Sequence, residues 1–351
     1  MRTTSTHCAR RYAAPMLSKT RFLLVRLDGL GDALACVPGL AGLSRAFPEA
    51  QFGAVCSKAN SRLFSTRVRT HLYAAGALDE LGDELASAGY THAIVATEEV
   101  AGYRLARLSG AKRRTGFWHR FEKTFKSLWQ YSQLTDPVYR PAAWTARPEH
   151  EVEALYRLAG IFGAAPPPPA DARELRPWLF VEGGGAVEAR QGEAPLGIQV
   201  TPKLASGGWG PGALGHFIVA ALEASTLRRC LLLAPAADEG FARSILEQLP
   251  RALRERDQVA LAPPADLPHW LGAIESLAAL ITPDTGAAHA AGMLGVPVID
   301  LFDEARFAQL SRQWRPWAAP HRCVIKPAWQ TGLAASFGSQ IGASVAEVVR
   351  A

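Results

Sequence analysis

The stretch Arg21-Phe-Leu-Leu-Val-Arg-Leu-Asp28-Gly-Leu-Gly-Asp32 decides the fold. An apolar run of strand length ends at two closely spaced glycines, and the helical pattern Ala33 to Ala46 follows at once. Strand, glycine turn and helix in that order open a parallel α/β unit, because a parallel strand needs a helical crossover to rejoin its sheet. The unit repeats: Gln51 to Cys56 reads as a strand, Leu78 to Ala88 as a helix and Ala93 to Thr97 as the next strand.

Pro166 to Pro169 interrupt this alternation with a stiff, extended spacer. Beyond it the pattern resumes, with strands at Leu196 to Thr201, Arg229 to Ala234, Val259 to Leu261, Ala279 to Thr282 and Val296 to Phe302. Helices alternate with them at Ala213 to Ala224, Glu239 to Leu249, Leu267 to Ser276 and Ala287 to Leu294. A chain of 351 residues therefore divides into two doubly wound domains. The expected boundaries are a tail over 1–20, a first domain over 21–165, a Pro-rich linker over 166–177, a second domain over 178–335 and a C-terminal helix over 336–351. Residues 183–193, which begin with three glycines, read as a flexible insertion.

With 48% hydrophobic and 20% charged residues, the composition excludes a disordered or fibrous chain. No uncharged apolar run reaches the ~18 residues of a membrane-spanning helix. Cys8, Cys36, Cys56, Cys230 and Cys323 are odd in number and scattered, with no metal-binding spacing, so a reducing cytoplasm and no metal are expected. The first twenty residues are basic but carry no apolar core, which predicts a loose tail rather than a signal peptide. Residues 1–170 hold 22 Lys and Arg against 14 Asp and Glu, while residues 171–351 hold 16 against 18. That basic half has neither a dense basic run nor a nucleic-acid module, so an anionic small molecule or phosphorylated surface is the expected partner.

In open α/β sheets ligands bind beyond the carboxyl ends of the strands, and two such sheets place a cleft between them. Three segments fall at such ends. Asp32 stands at the mouth of the first helix, as its cap or as a general base. Thr282-Pro-Asp-Thr-Gly-Ala-Ala-His289 follows an apolar strand and opens a helix, leaving the amides of Thr285, Gly286 and Ala287 accessible to a phosphate or diphosphate. Asp284 caps that helix or accepts hydrogen bonds from sugar hydroxyls. His289, one turn in, is a structural residue or a donor contact. Thr201-Pro-Lys-Leu-Ala-Ser-Gly-Gly-Trp-Gly210 is a loop with Thr201, Lys203 and Ser206, able to wrap phosphate oxygens or to be plain surface.

The segment from Lys112 to Trp129 places Phe117, Phe121, Phe125, Leu128 and Trp129 at near-helical spacing, with Arg120, Lys123 and Lys126 elsewhere on the wheel. A basic amphipathic helix is expected, its aromatic stripe docked on the first domain. Its cations, with Lys112, Arg113, Arg114 and Arg120 foremost, would meet an anionic acceptor or membrane face.

Arg26-Leu-Asp-Gly-Leu-Gly-Asp-Ala-Leu-Ala-Cys-Val-Pro-Gly-Leu40 resembles the opening motif of glycosyltransferase family 9, the ADP-heptose:lipopolysaccharide heptosyltransferases. Asp284-Thr-Gly-Ala-Ala-His-Ala-Ala-Gly-Met-Leu-Gly-Val-Pro-Val298, followed by Leu301-Phe302, resembles the same family's donor-site signature. Ala111 to Phe117, Glu149 to Glu153, Leu267 to Thr282 and Trp314-Arg-Pro-Trp317 match in order, so the resemblance runs over residues 20–330.

This resemblance implies a GT-B fold, two Rossmann-like doubly wound domains facing across a cleft, with the nucleotide-sugar held mainly by the second. It implies inverting transfer of a heptose from ADP-heptose to a lipopolysaccharide-core or related glycan acceptor, with no metal or cofactor. Asp32 matches the family's catalytic aspartate, and Thr285, Gly286 and Ala287 would stabilise the leaving diphosphate. A cytoplasmic enzyme with peripheral contact to the inner face of the cytoplasmic membrane is expected.

Two positions depart from the family. Members commonly carry a lysine two residues before the Trp of the second-domain loop, whereas here Gly207 precedes Trp209 in that place. Lys203 or Ser206 would have to take over. Ala234 to Glu239 replaces a glycine-rich turn, with Asp238 placed to reach a ribose or cap the next helix. A weakened member acting as a nucleotide-sugar or glycan binding module, or a glycosyltransferase using another nucleotide-sugar, are the alternative expectations.

Overall fold

A computed structural model describes residues 20–120, 124–141, 149–183, 194–256 and 258–351. Residues 1–19 of the expected tail, residues 184–193 of the expected insertion, and Phe121 and Lys123 lie outside the described residues.

The first lobe is a six-stranded parallel sheet: β1 Arg21–Arg26, β2 Gln51–Cys56, β3 Val68–Leu72, β4 His92–Val95, β5 Arg113–Trp118 and β6 Asp136–Tyr139, in the order β3-β2-β1-β4-β5-β6. The second repeats that plan with β7 Leu196–Gln199, β8 Cys230–Leu233, β9 Val259–Leu261, β10 Ala279–Pro283, β11 Val298–Asp303 and β12 His321–Lys326, in the order β12-β11-β10-β7-β8-β9. In each sheet the order reverses beside the lobe's first strand, at β1/β4 and at β7/β10. Such switch points are where α/β sheets open a crevice for ligands. The fold is the expected GT-B arrangement of two doubly wound lobes.

Three local expectations are corrected. The helix expected over Ala33 to Ala46 is two: α1 Leu30–Leu34 and α2 Val37–Ala46. Pro38 has no N–H and its ring crowds the carbonyl four residues back, so the helix ends and restarts there, and Asp32 lies inside α1. The amphipathic helix expected from Lys112 begins only at Thr124; its front half is β5, where Thr115, Gly116 and Phe117 are buried between β4 and β6. Arg113 and Arg114 sit at the start of that strand, so polar ends around a short buried centre mimic a helical wheel. The expected loop Thr201 to Gly210 contains a helical turn, Pro202–Ala205. Strands β3, β6 and β12 have no counterpart in the sequence reading.

After the helix Glu151–Gly160 the chain runs along the first lobe before entering the second. Trp178 packs edge-on against Phe52 at 5.1 Å, and Phe180 N–H donates to Leu63 O at 2.8 Å. The lobes are packed together. One apolar cluster runs from Phe22, Leu34 and Val37 through Trp178 to Ala287, Ala291 and Met293. Across the seam, Trp317 Nε1 donates to Pro169 O at 2.7 Å and Arg176 pairs with Glu275 at 2.7 Å. At the far side, α3 Pro211–Ser225 lies against the final helix Leu333–Arg350. A Cβ on Gly342 would stand 2.3 Å from Ala221 O, so glycine sets how closely these helices approach.

Candidate active site

Arg26, the last residue of β1, organises the first-lobe side of the cleft. Its side chain is 8% exposed, and its Nη2 lies 2.5 Å from Asp32 Oδ1 and its Nε 3.2 Å from Asp28 Oδ2. Nη1 donates to the carbonyl of Ala96. Asn60 Nδ2 donates to Asp28 O at 3.1 Å and fixes the turn. Burial raises the Asp32 carboxyl above its ordinary range, and Arg26 opposes that rise. The group is therefore a carboxylate held in one orientation by a cation, and more basic than a free aspartate.

The second-lobe side is built on α4 Gly286–Leu294. Thr285 is its N-cap, with Oγ1 accepting from Ala287 N at 3.3 Å and lying 3.0 Å from Thr282 Oγ1. Asp284 does not cap the helix; Lys203 donates to its backbone carbonyl and stands 3.4 Å from its Oδ2. His289 is buried edge to face against Trp314 at 5.5 Å, its Nδ1 without a hydrogen-bond partner among the described residues. Burial pushes this imidazole down to about 4, so it is neutral near pH 7.

The two sides meet. A Cβ added to Gly286 would lie 3.4 Å from Gly31 N, and one added to Gly31 would lie 3.0 Å from His289 Cδ2. A cavity of about 550 Å3 opens at this contact, and Asp32, Thr201, Lys203, Asp284, Thr285, Gly286, Ala287 and His289 all line it. An apolar annex of about 240 Å3 continues from it past Leu30, Gln199 and Trp270 to Leu233, Pro235 and Leu267, beyond the ends of β8 and β9. The cavity thus joins an oriented carboxylate, a positive helix terminus and an apolar annex, a layout suited to a nucleoside diphosphate carrying a reactive substituent.

Other expected residues lie elsewhere. Ser206 turns away, its Oγ donating to Lys203 O at 2.7 Å and its carbonyl accepting from Lys326 Nζ at 2.5 Å. Asp238 occupies the N-cap position of the helix Glu239–Glu247 without a capping bond and does not line the cavity. Lys112, Arg113 and Arg114 lie at the amino end of β5, the opposite edge of the sheet from the cleft. There Arg113 pairs with Asp136 at 2.7 Å, and Arg114 donates to Ala111 O and Gln133 O at 2.7 and 2.8 Å. Arg120, past the carboxyl end of β5, stacks over Tyr139 at 4.3 Å.

The sequence reading missed Arg26, Trp270, Arg306 and Trp314 as cavity or base-orienting residues. Arg26 had a signal: a lone cation ending an apolar strand, two and six residues before acids.

Residues 218–333 match the family model of glycosyltransferase family 9 (heptosyltransferase). Among solved structures, E. coli ADP-heptose lps heptosyltransferase II is 18% identical, with a TM-score of 0.66 over 94% of this chain and 98% of that one. E. coli heptosyltransferase WaaC with ADP-2-deoxy-2-fluoro heptose is 17% identical, with a TM-score of 0.67 over 92% and 98%. UDP-GlcNAc 2-epimerase from Methanocaldococcus jannaschii, at 11% identity and a TM-score of 0.51 over 94% and 99%, has the same architecture. At these identities the likeness is one of fold, and the chemistry is argued from the cavity. No curated protein matches the sequence. Among the described residues no helix is long and apolar enough to cross a membrane.

Proposed function

We propose that the protein transfers a heptose from ADP-heptose to a lipopolysaccharide-core or related glycan acceptor by a single inverting displacement. The observation that carries this reading is that Asp32 and the amide terminus of α4, contributed by different lobes, line one cavity. The family 9 match over the second lobe and the ADP-sugar in the WaaC structure support the choice of donor.

In this mechanism the nucleoside lies in the apolar annex and its diphosphate meets the amides of Gly286 and Ala287 with Lys203. Asp32 accepts the proton of an acceptor hydroxyl as that oxygen bonds to the anomeric carbon. The bond from that carbon to the diphosphate breaks on the opposite face, which inverts the centre, and ADP leaves with the electron pair. A raised carboxyl suits the base, since proton transfer improves as its basicity approaches that of the medium. The amides and Lys203 carry the neutralisation that a divalent ion supplies in other transferases, so no metal enters the steps.

The acceptor is read as an anionic glycolipid at the inner face of the cytoplasmic membrane. The helix Thr124–Gln133 offers that surface Phe125, 88% exposed, with Leu128 and Tyr131 exposed beside Lys126.

Two measurements test the proposal. ADP, ahead of UDP, GDP and CMP, should raise the melting temperature, and ADP-heptose with a core glycolipid should yield a product one heptose heavier by mass spectrometry. Stabilisation by another nucleotide alone would overturn the donor assignment. ADP binding without transfer would favour a nucleotide-sugar binding module, the reading that Gly207 supports.

A further inference from the structure

Position 207 cannot furnish a cation to the cavity. Gly207 has φ +73°, and a Cβ there would lie 3.4 Å from Ala328 Cα and 3.9 Å from Lys326 Nζ, on the β12 side of the loop. Lys326 itself is 6% exposed and is tied to the Ser206 carbonyl at 2.5 Å and hydroxyl at 3.2 Å. The charge that meets a departing diphosphate must come from another element.

Two cations line the main cavity, Lys203 and Arg306. Lys203 is already engaged by Asp284. Arg306 closes the short 3-10 turn Glu304–Arg306 after β11, and its guanidinium has no hydrogen-bond or ion-pair partner among the described residues. A recess of about 80 Å3 opens off the cavity beside it, sharing Lys203, Asp284, Arg306 and Leu310 with the larger space. Its wall holds Lys203, Arg306 and Lys326 against Asp284 and Asp303, an excess of one positive charge. An exposed guanidinium without a partner, on the wall of an open cavity that also holds a helix N-terminus, is suited to a phosphate, which it meets with two parallel N–H donors.

We propose that Arg306, acting with Lys203, is the cationic clamp for the donor's diphosphate, taking the place of the cation that position 207 lacks. The clamp rests on the sugar-transfer reading for its substrate, but it makes a claim about diphosphate recognition that is measurable without transfer. It also assigns a task to the turn after β11: the cation arrives from the strand end next to α4, so the two sides of the phosphate group are met by neighbouring elements of the same lobe.

Titration calorimetry of the full chain and of Arg306→Gln with ADP, adenosine and inorganic pyrophosphate tests this. The expected result is a roughly tenfold loss of affinity for ADP and pyrophosphate in the variant, with adenosine unchanged. Arg306→Lys should recover part of the loss, and the salt dependence of ADP binding should flatten in Arg306→Gln. An unchanged melting temperature would exclude a structural cause. ADP and pyrophosphate affinities equal to wild type would overturn the clamp and leave the sugar-transfer reading intact. Arg306-dependent pyrophosphate binding in a chain indifferent to ADP would keep the clamp and overturn the donor. Binding of neither by the wild type would remove both.

Discussion

The two lobes share one strand order yet build their switch points from different materials. At the end of β1 stand charged groups in close pairing, Arg26 between Asp28 and Asp32. At the ends of β7 and β10 stand hydroxyls, glycine, alanine and a neutral histidine around one partly exposed pair, Lys203 with Asp284, and the peptide N–H groups of α4 open onto the same cavity. The difference corresponds to two tasks. Moving a proton needs a titratable group held against a counter-charge that tunes it, whereas receiving an anion needs fixed dipoles that no proton can neutralise. In the proposed reaction the same frame would supply a base from one side and a cradle from the other.

The largest way to break that contrast is to neutralise the first side alone. Asp32→Asn removes the proton acceptor while keeping shape, so transfer should fall by about 10²- to 10⁴-fold, with ADP affinity by calorimetry within a few-fold of wild type. Full activity in this variant would place the base elsewhere. Removing the counter-charge comes next. Arg26→Met leaves two partly exposed carboxylates facing each other without their shared donor, which costs about 1–3 kcal/mol, read as a lower midpoint in urea. It also removes the cation that opposes the rise of Asp32. Because Asp32 acts as a base only when deprotonated, the acid limb of kcat/KM should move to higher pH in the folded fraction; an unmoved limb would mean that Arg26 does not tune it.

Those effects explain what the sequence made legible. The two doubly wound lobes followed from β/α alternation and the proline spacer, because parallel strands buried on both faces must be apolar runs bounded by turns, and the resemblance to family 9 added the expectation of a GT-B cleft. The cradle followed from Thr285-Gly-Ala because small residues before an apolar helix leave their amides open. Asp32 was legible as a candidate, whereas Arg26 showed only as a lone cation ending an apolar strand, since an ion pair between a strand end and a helix six residues on depends on how tightly the turn closes. β5 was misread because Arg113 and Arg114 flank a short core in a spacing that also suits a helix. Arg306 stayed hidden because its place on the cavity wall depends on a turn packing beside a helix twelve or more residues earlier in the chain.

A smaller perturbation tests whether the two sides must touch. Gly31 and Gly286 meet at the seam, where a Cβ on Gly31 would come 3.0 Å from the buried ring of His289. Gly31→Ala must shift that ring or part the lobes, at about 1–3 kcal/mol. If the cavity works only when both sides close on it, transfer should fall more than stability does; equal losses would mean that the seam is ordinary packing.

The mildest prediction concerns a carboxyl that the second lobe buries without a cation. Asp300, in the middle of β11 between Thr282 and Cys323, is 0% exposed and neither side-chain oxygen has a hydrogen-bond partner among the described residues. Burial raises it well above the usual carboxylate range. The folded chain therefore keeps a proton that the unfolded chain releases, so stability declines as pH rises from the unfolded value near 4 toward the folded one, then levels off. Asp300→Asn carries no proton to lose. It should gain about 1 kcal/mol over wild type at pH 7, with the gain shrinking toward pH 4, measured as paired urea midpoints. A gain independent of pH would show that Asp300 keeps its charge in the folded chain. The first lobe answers a half-buried carboxylate with Arg26, whereas the second answers a fully buried one by keeping it protonated.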